Sequence, residues 1–163
     1  MSASTASRRR REEPELRPVD ALTEDEARAR LAAARVARLA TAGLDGQPHV
    51  VPVTFAVDGD RIYTAVDHKP KSTTRLQRLR NIQAHPRVAL LADHYADDWA
   101  QLWWVRADGQ AAVLDDMAGL AGPLRLLAAR YPQYAAQPPA GSPLSALSSA
   151  ASGSSKSVTW PAR

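Results

Sequence analysis

The chain has 163 residues, with 21 Lys+Arg against 17 Asp+Glu, a formal net charge of +4 and no cysteine. That excludes disulfides, thiolate metal sites, iron–sulfur clusters and a cysteine nucleophile. No apolar run reaches the roughly 18 residues of a membrane span, and the early arginines have no apolar run behind them, so a soluble, cytoplasmic protein without a secretory signal is expected.

Residues 1–18 read as a disordered basic tail. Ser2 to Ser7 is small and polar, Arg8 to Arg11 is a basic run, and Pro14 and Pro18 break any helix. A basic run alone is unspecific, so it is taken as solvated rather than as a nucleic-acid contact. Thr23-Glu24-Asp25-Glu26 is a capping box, and Ala27, Leu31 and Ala34 then share one face, which predicts a short helix ending near Arg35.

From Val36 the period becomes 2. Strands are predicted over Val36–Thr41, His49–Val57 and Arg61–Val66, joined at Gly43–Gly46 and at Asp58-Gly59, as an antiparallel meander. A polar loop from Asp67 to Thr74 leads into a helix with Leu76, Leu79 and Ile82 inward and Arg75, Arg78 and Arg80 outward. Val88–Ala92, Leu102–Ala107 and Gln110–Leu114 are predicted as further strands, the last two joined by a turn at Asp108-Gly109. A helical stretch follows through Met117, Leu120, Leu124 and Leu127, interrupted by Gly122-Pro123 and ending before Tyr131. Residues 137–163 read as a disordered tail, because 140–157 holds eight serines and no aromatic residue. The expectation is therefore a mainly β domain over 19–136 with flanking helices, its six antiparallel strands closed into a small barrel to remove exposed edges. A composition with only 6% aromatic residues makes the core thin and alanine-rich, a reason to expect association of subunits.

Lys69 to Arg80 holds five basic residues and no acid, with the hydroxyls of Ser72, Thr73 and Thr74 at the expected helix start. Ammonium, guanidinium and hydroxyl donors beside free backbone N–H groups suit a phosphate, and equally a capped helix with a solvated basic face. Trp99, Trp103 and Trp104 lie close together. Trp103 and Trp104 point to opposite faces of one strand, which serves either core and subunit packing or stacking on a flat heterocycle. Asp93, His94, Asp97 and Asp98 lack the spacing of a known metal site and are read as a solvated connection. His49 and His68 flank the expected ligand mouth. No nucleophile elbow, GxGxxG or phosphate-binding P-loop is present, so a cofactor is expected to supply any reactivity.

Ala37-Arg38-Leu39-Ala40-Thr41, Gly46-Gln47-Pro48-His49-Val50-Val51-Pro52-Val53 and Asp58-Gly59-Asp60-Arg61-Ile62-Tyr63-Thr64 resemble the pyridoxamine-phosphate-oxidase-like split β-barrel family. Lys69-Pro70-Lys71 through Ile82, His85-Pro86-Arg87-Val88, Asp93-His94-Tyr95 with Asp97-Asp98-Trp99, and Leu102-Trp103-Trp104-Val105-Arg106 add to the resemblance. It is strongest to the actinobacterial branch of deazaflavin (coenzyme F420) dependent enzymes, with FMN as the alternative cofactor. The resemblance implies a homodimeric six-stranded split barrel, an oxidoreductase acting on a small molecule, with two cofactor sites between subunits. It places His49, Val51 and Pro52 against the flavin-type ring and Tyr63 and Thr64 at a strand end approaching it. Lys69, Lys71, Ser72, Thr73 and Arg78 would hold phosphate, and Trp103 or Trp104 would reach in from the second subunit. Members usually finish with another strand and a tryptophan-containing end. Here the region from Gly141 is serine-rich and unpatterned, which reads as a diverged end or a change of frame.

Overall fold

A computed structural model of the protein describes residues 22–65, 77–136 and 144–148. In chain order the elements are helix α1 (Glu24–Ala33), strands β1 (Ala37–Ala42), β2 (Pro48–Val53), β3 (Phe55–Asp58) and β4 (Arg61–Thr64), and helix α2 (Gln77–Ala84). Strand β5 (Arg87–His94), a single 3-10 turn (Trp99–Gln101), strand β6 (Trp103–Leu114), helices α3 (Met117–Arg130) and α4 (Pro132–Ala136) and strand β7 (Leu144–Ser148) follow.

The Thr23 capping box forms as expected. The Glu26 backbone N–H donates to the Thr23 hydroxyl at 3.3 Å and the Thr23 N–H donates back to the Glu26 carboxylate at 2.8 Å. α1 ends at Ala33, two residues earlier than the periodicity suggests. Its buried Ala27 and Leu31 join the sheet residues in one core.

The seven strands among the described residues form one antiparallel sheet in the order β2-β1-β5-β6-β7-β4-β3. This is a mainly β split-barrel architecture with flanking helices, with seven strands where six are expected. Three departures produce the difference. The long strand predicted over His49–Val57 breaks at Thr54 into β2 and β3, which stand at opposite ends of the strand order. The expected meander is therefore absent, because β4 pairs with β3 and β7 and not with β2. Val53 and Phe55 are only two residues apart, a reach of about 7 Å, so the two sheet edges must approach each other there. That is what curls the sheet. The curl is not fully closed, since no ladder joins β2 to β3 among the described residues.

The second departure is at Asp108-Gly109, where no turn forms. β6 runs straight through, with Asp108 opposite Ala89 and Gly109 opposite Val88. The third is β7, which lies inside the stretch expected to be disordered. Its Leu147 is buried between Ala111 of β6 and Ile62 of β4, and Ser145 is buried opposite Val113 and Thr64. The folded unit thus extends past 136. The remainder of 137–163 and the tail at 1–18 lie outside the described residues.

The inner face of the sheet carries Leu39, Val53, Phe55, Ile62, Val88, Leu90, Val105 and Leu147, packed with α1 and with Ile82 of α2. α3 and α4 cover only one half of the outer face, where Leu120, Leu127, Tyr131 and Tyr134 pack with Ala56 and Ala65. α3 continues through Gly122-Pro123 without a break. The other outer half, across β2, β1, β5 and β6, has no helix on it among the described residues. Val50 there is 60% exposed.

Candidate functional site

The expected site residues fall on two faces of the sheet. His49, Val51, Thr64 and Trp103 lie on the inner side, while Pro52 and Trp104 lie on the outer side. Tyr63 is also outward-facing, but it is buried at the α3-covered half, beside Gly122, Pro123 and Leu126. Lys69, Lys71, Ser72 and Thr73, together with His68, Arg75 and Leu76, lie outside the described residues.

One end of the barrel gathers polar groups. The end of β1, the start of β2, the end of β4 and the first turns of α2 meet there. Asn81 of α2 is buried and donates from Nδ2 to the Thr41 hydroxyl at 3.0 Å. That hydroxyl lies 3.5 Å from His49 Nδ1 and 3.4 Å from the His49 carbonyl. Thr64 Oγ1 and Ser145 Oγ are 2.5 Å apart, two buried hydroxyls satisfying one another. Arg78 was expected on the outer, solvated side of its helix. It is instead half-buried, and its Nη2 donates to the Ala65 carbonyl at 3.1 Å. This bond ties the two described ends of the 66–76 segment, Ala65 and α2, to each other.

The same end of the sheet carries a groove of about 570 Å³ on its uncovered outer face. Ala40, Ala42, Ala89 and Gly109 give it a small, apolar lining, and Arg87, Asp108 and Gln110 supply its polar border. Sequence reasoning did not single out Thr41, Asn81, Arg87 or Gln110. Asn81 carried one readable signal, a polar residue at a position flanked by the inward Leu79 and Ile82.

At the opposite end, Trp103 stacks on His94 with centroids 6.2 Å apart, and the Arg30 guanidinium lies 5.5 Å from the Trp103 ring. Trp103 is therefore held within one subunit by α1 and β5. Trp104 lies opposite Asp93, which pairs with Arg38. Asp98 caps the turn before Leu102 through Ala100 N–H at 3.0 Å, so two of the acids near His94 have structural partners.

A family model for pyridoxamine 5'-phosphate oxidase matches residues 23–153, from the α1 cap to beyond β7. The chain belongs to the pyridoxamine 5'-phosphate oxidase family. A 56-residue stretch is 38% identical to the 5a,11a-dehydrotetracycline/5a,11a-dehydrooxytetracycline reductase of Streptomyces rimosus subsp. rimosus. That match covers 34% of this chain and 38% of the reductase, well under half of either protein. Among solved structures, a conserved hypothetical protein from Mycobacterium tuberculosis superposes with a TM-score of 0.67 at 22% identity, over 83% of this chain and 85% of that one. A FAD-binding protein from Mesorhizobium loti superposes with a TM-score of 0.63 at 23% identity, over 80% and 92%. At these identities the two structures show a shared fold. No helix among the described residues is long and apolar enough to cross a membrane.

Proposed function

We propose that this protein is an oxidoreductase that binds coenzyme F420 and moves hydride between the deazaflavin and a small organic acceptor. It would act as a homodimer with its sites between subunits. The supporting observation is the division of the expected cofactor residues between two faces of one sheet. A single ligand that touches Pro52 and Trp104 as well as His49 and Thr64 needs two subunits. The outer half that would receive the second subunit is the half that none of the described helices covers, and it exposes Val50.

The residues present suit such a cofactor. A lining of Ala40, Ala42, Ala89 and Gly109 accepts a flat ring, and Arg87 and Gln110 offer donors at its border. Lys69, Lys71, Ser72, Thr73 and Arg78 suit its phosphate. When bound, the deazaflavin supplies the hydride. The chain's own part is to hold the ring, neutralise the phosphate and keep water from the reacting face. The partial likeness to a tetracycline-type reductase supports reduction of an electron-poor organic acceptor.

A second reading keeps the site and places FMN in it, either for turnover or for binding alone. The fold shared with a FAD-binding protein supports it. Fluorescence titration of the purified protein with coenzyme F420 and with FMN separates the two. Saturable F420 binding at micromolar concentration supports the first, and tight FMN binding without F420 binding replaces it with the second. Turnover of reduced cofactor with quinones, nitroaromatics and enones distinguishes an enzyme from a binding protein.

A further inference from the structure

We infer that a second groove, adjoining the one proposed for the ring, is a carboxylate-binding site in which Arg61 and the Tyr63 hydroxyl hold the acid group of the organic acceptor. That the acid belongs to the acceptor rests on the function proposed above, whereas the carboxylate site itself rests on the fold.

Arg61, Gln110 and Arg87 stand in one row across the outer face of the sheet. Arg61 of β4 and Gln110 of β6 are both opposite Ser148 of β7, and Arg87 of β5 is opposite Gln110. Their chain neighbours Ile62, Ala111 and Val88 belong to the inner core, so the three polar side chains project outward. Arg87 and Gln110 border the groove proposed for the ring. From Gln110 a second groove of about 530 Å³ continues to Arg61 and Tyr63, lined by the small residues Ala112, Ala146 and Gly119. With strands about 4.8 Å apart, Arg61 lies roughly 10 Å from Gln110, a span that a small organic acid can bridge.

The groove stands out in two ways. First, its arginine is not neutralised. Arg28, Arg38 and Arg106 pair with carboxylates, and Arg30, Arg35 and Arg130 lie over aromatic rings. The Arg61 side chain makes no hydrogen bond, ion pair or ring contact among the described residues, and no carboxylate among them lines its groove. Asp116, which lies near Gly119, has a partner of its own. Arg87 and Arg125 also lack partners among the described residues, but Asp108 and Asp58 line their grooves. Second, Tyr63 is only 6% exposed and lines the groove, and its hydroxyl makes no hydrogen bond among the described residues. Buried hydroxyls are ordinarily paired. Tyr63 is two residues from Arg61 on the same strand face, about 7 Å along β4. A carboxylate between them accepts from both, from the guanidinium on one oxygen and from the phenol on the other.

The test is isothermal titration calorimetry of full-length, cofactor-free protein with cinnamate and with cinnamamide, which match in shape and differ in charge. Cinnamate should bind at least tenfold more tightly, the contribution of a charge-assisted bond. Arg61→Gln should abolish that preference while leaving cinnamamide binding as in the wild type. Arg61 is exposed, so the variant is expected to fold, and far-ultraviolet circular dichroism checks this. Tyr63→Phe should weaken cinnamate about fivefold, one neutral hydrogen bond. No binding of cinnamate, equal affinity for acid and amide, or an unchanged preference in folded Arg61→Gln overturns the carboxylate site. The titration is then repeated in saturating coenzyme F420 and in saturating FMN. Cinnamate should remain bound beside the cofactor, and its displacement overturns the assignment of the acid to the acceptor. Failure of the protein to bind either cofactor overturns the proposed function but leaves the carboxylate site standing.

Discussion

Tyr131 ties three distant parts of the chain with one hydroxyl. Its oxygen accepts the Phe55 N–H at 3.1 Å and lies 2.9 Å from both the Phe55 and Arg35 carbonyls. The neighbouring Tyr134 hydroxyl lies 2.7 Å from Thr54 Oγ1. Together they pin the corner at which the chain passes from β2 to β3. Tyr131→Phe keeps the ring but leaves a buried N–H without its acceptor, so it should lower unfolding stability by about 1–3 kcal/mol in urea titrations. Nothing around Tyr131 in the sequence announces this role, because its partners lie 76 and 96 residues away. The capping box at Thr23 was legible for the opposite reason, since donor and acceptor are three residues apart. At the candidate site, Lys71→Ala should weaken cofactor binding by about 1–3 kcal/mol in the fluorescence titration, the loss of one charge-assisted bond. Arg78→Ala should weaken it as well, and in addition removes the bond to Ala65. Lys71→Ala is therefore the cleaner measure of phosphate contact.

At the level of elements, alternation located most strands but not their neighbours. The helices and strands α1, β1, β4 and β5 follow their local signals closely. The errors occur where a local turn signal competes with partners on both sides. Asp108-Gly109 is a strong hairpin dipeptide, yet β5 pairs with both residues, Gln110 pairs with both β5 and β7, and Ala111 to Leu114 pair with β7. Straight pairing therefore satisfies more backbone groups than a turn would. β7 is hidden because five residues, three of them small or polar, carry almost no pattern. What makes Leu144–Ser148 a strand is the open slot between β6 and β4, which no local rule can see. A chain ending at residue 143 should therefore lose cooperative unfolding, whereas one ending at 153 should keep it. Calorimetry on the two truncations checks this.

For the molecule as a whole, the thin core and the half-covered sheet are two views of one economy. The inner face is built from small and medium side chains around Phe55, Leu90 and Leu31. Outside, α3 and α4 protect one half of the sheet and leave Val50, Ala40, Ala89 and Leu91 on the other. A solvated single subunit would gain by covering them. If a second copy does so, Val50→Glu should shift sedimentation from dimer to monomer and weaken cofactor binding in parallel. An unchanged dimer in that variant would move the interface elsewhere.

The central position of β7 also governs the order in which the protein can form. The β3–β4 hairpin and the β1–β5–β6 layer can each pair locally as they leave the ribosome. They are not paired with each other until residues 144–148 arrive, because among the described residues that strand is the only ladder between them. Until then, two sheet edges stay unpaired for the time taken to synthesise some 30 residues after β6, and such edges invite pairing with other chains. Yield in a cell should therefore depend on how quickly the last segment is translated and on chaperones that shield edges. A slow codon placed between α4 and β7 is predicted to raise the insoluble fraction, even though the finished protein is identical.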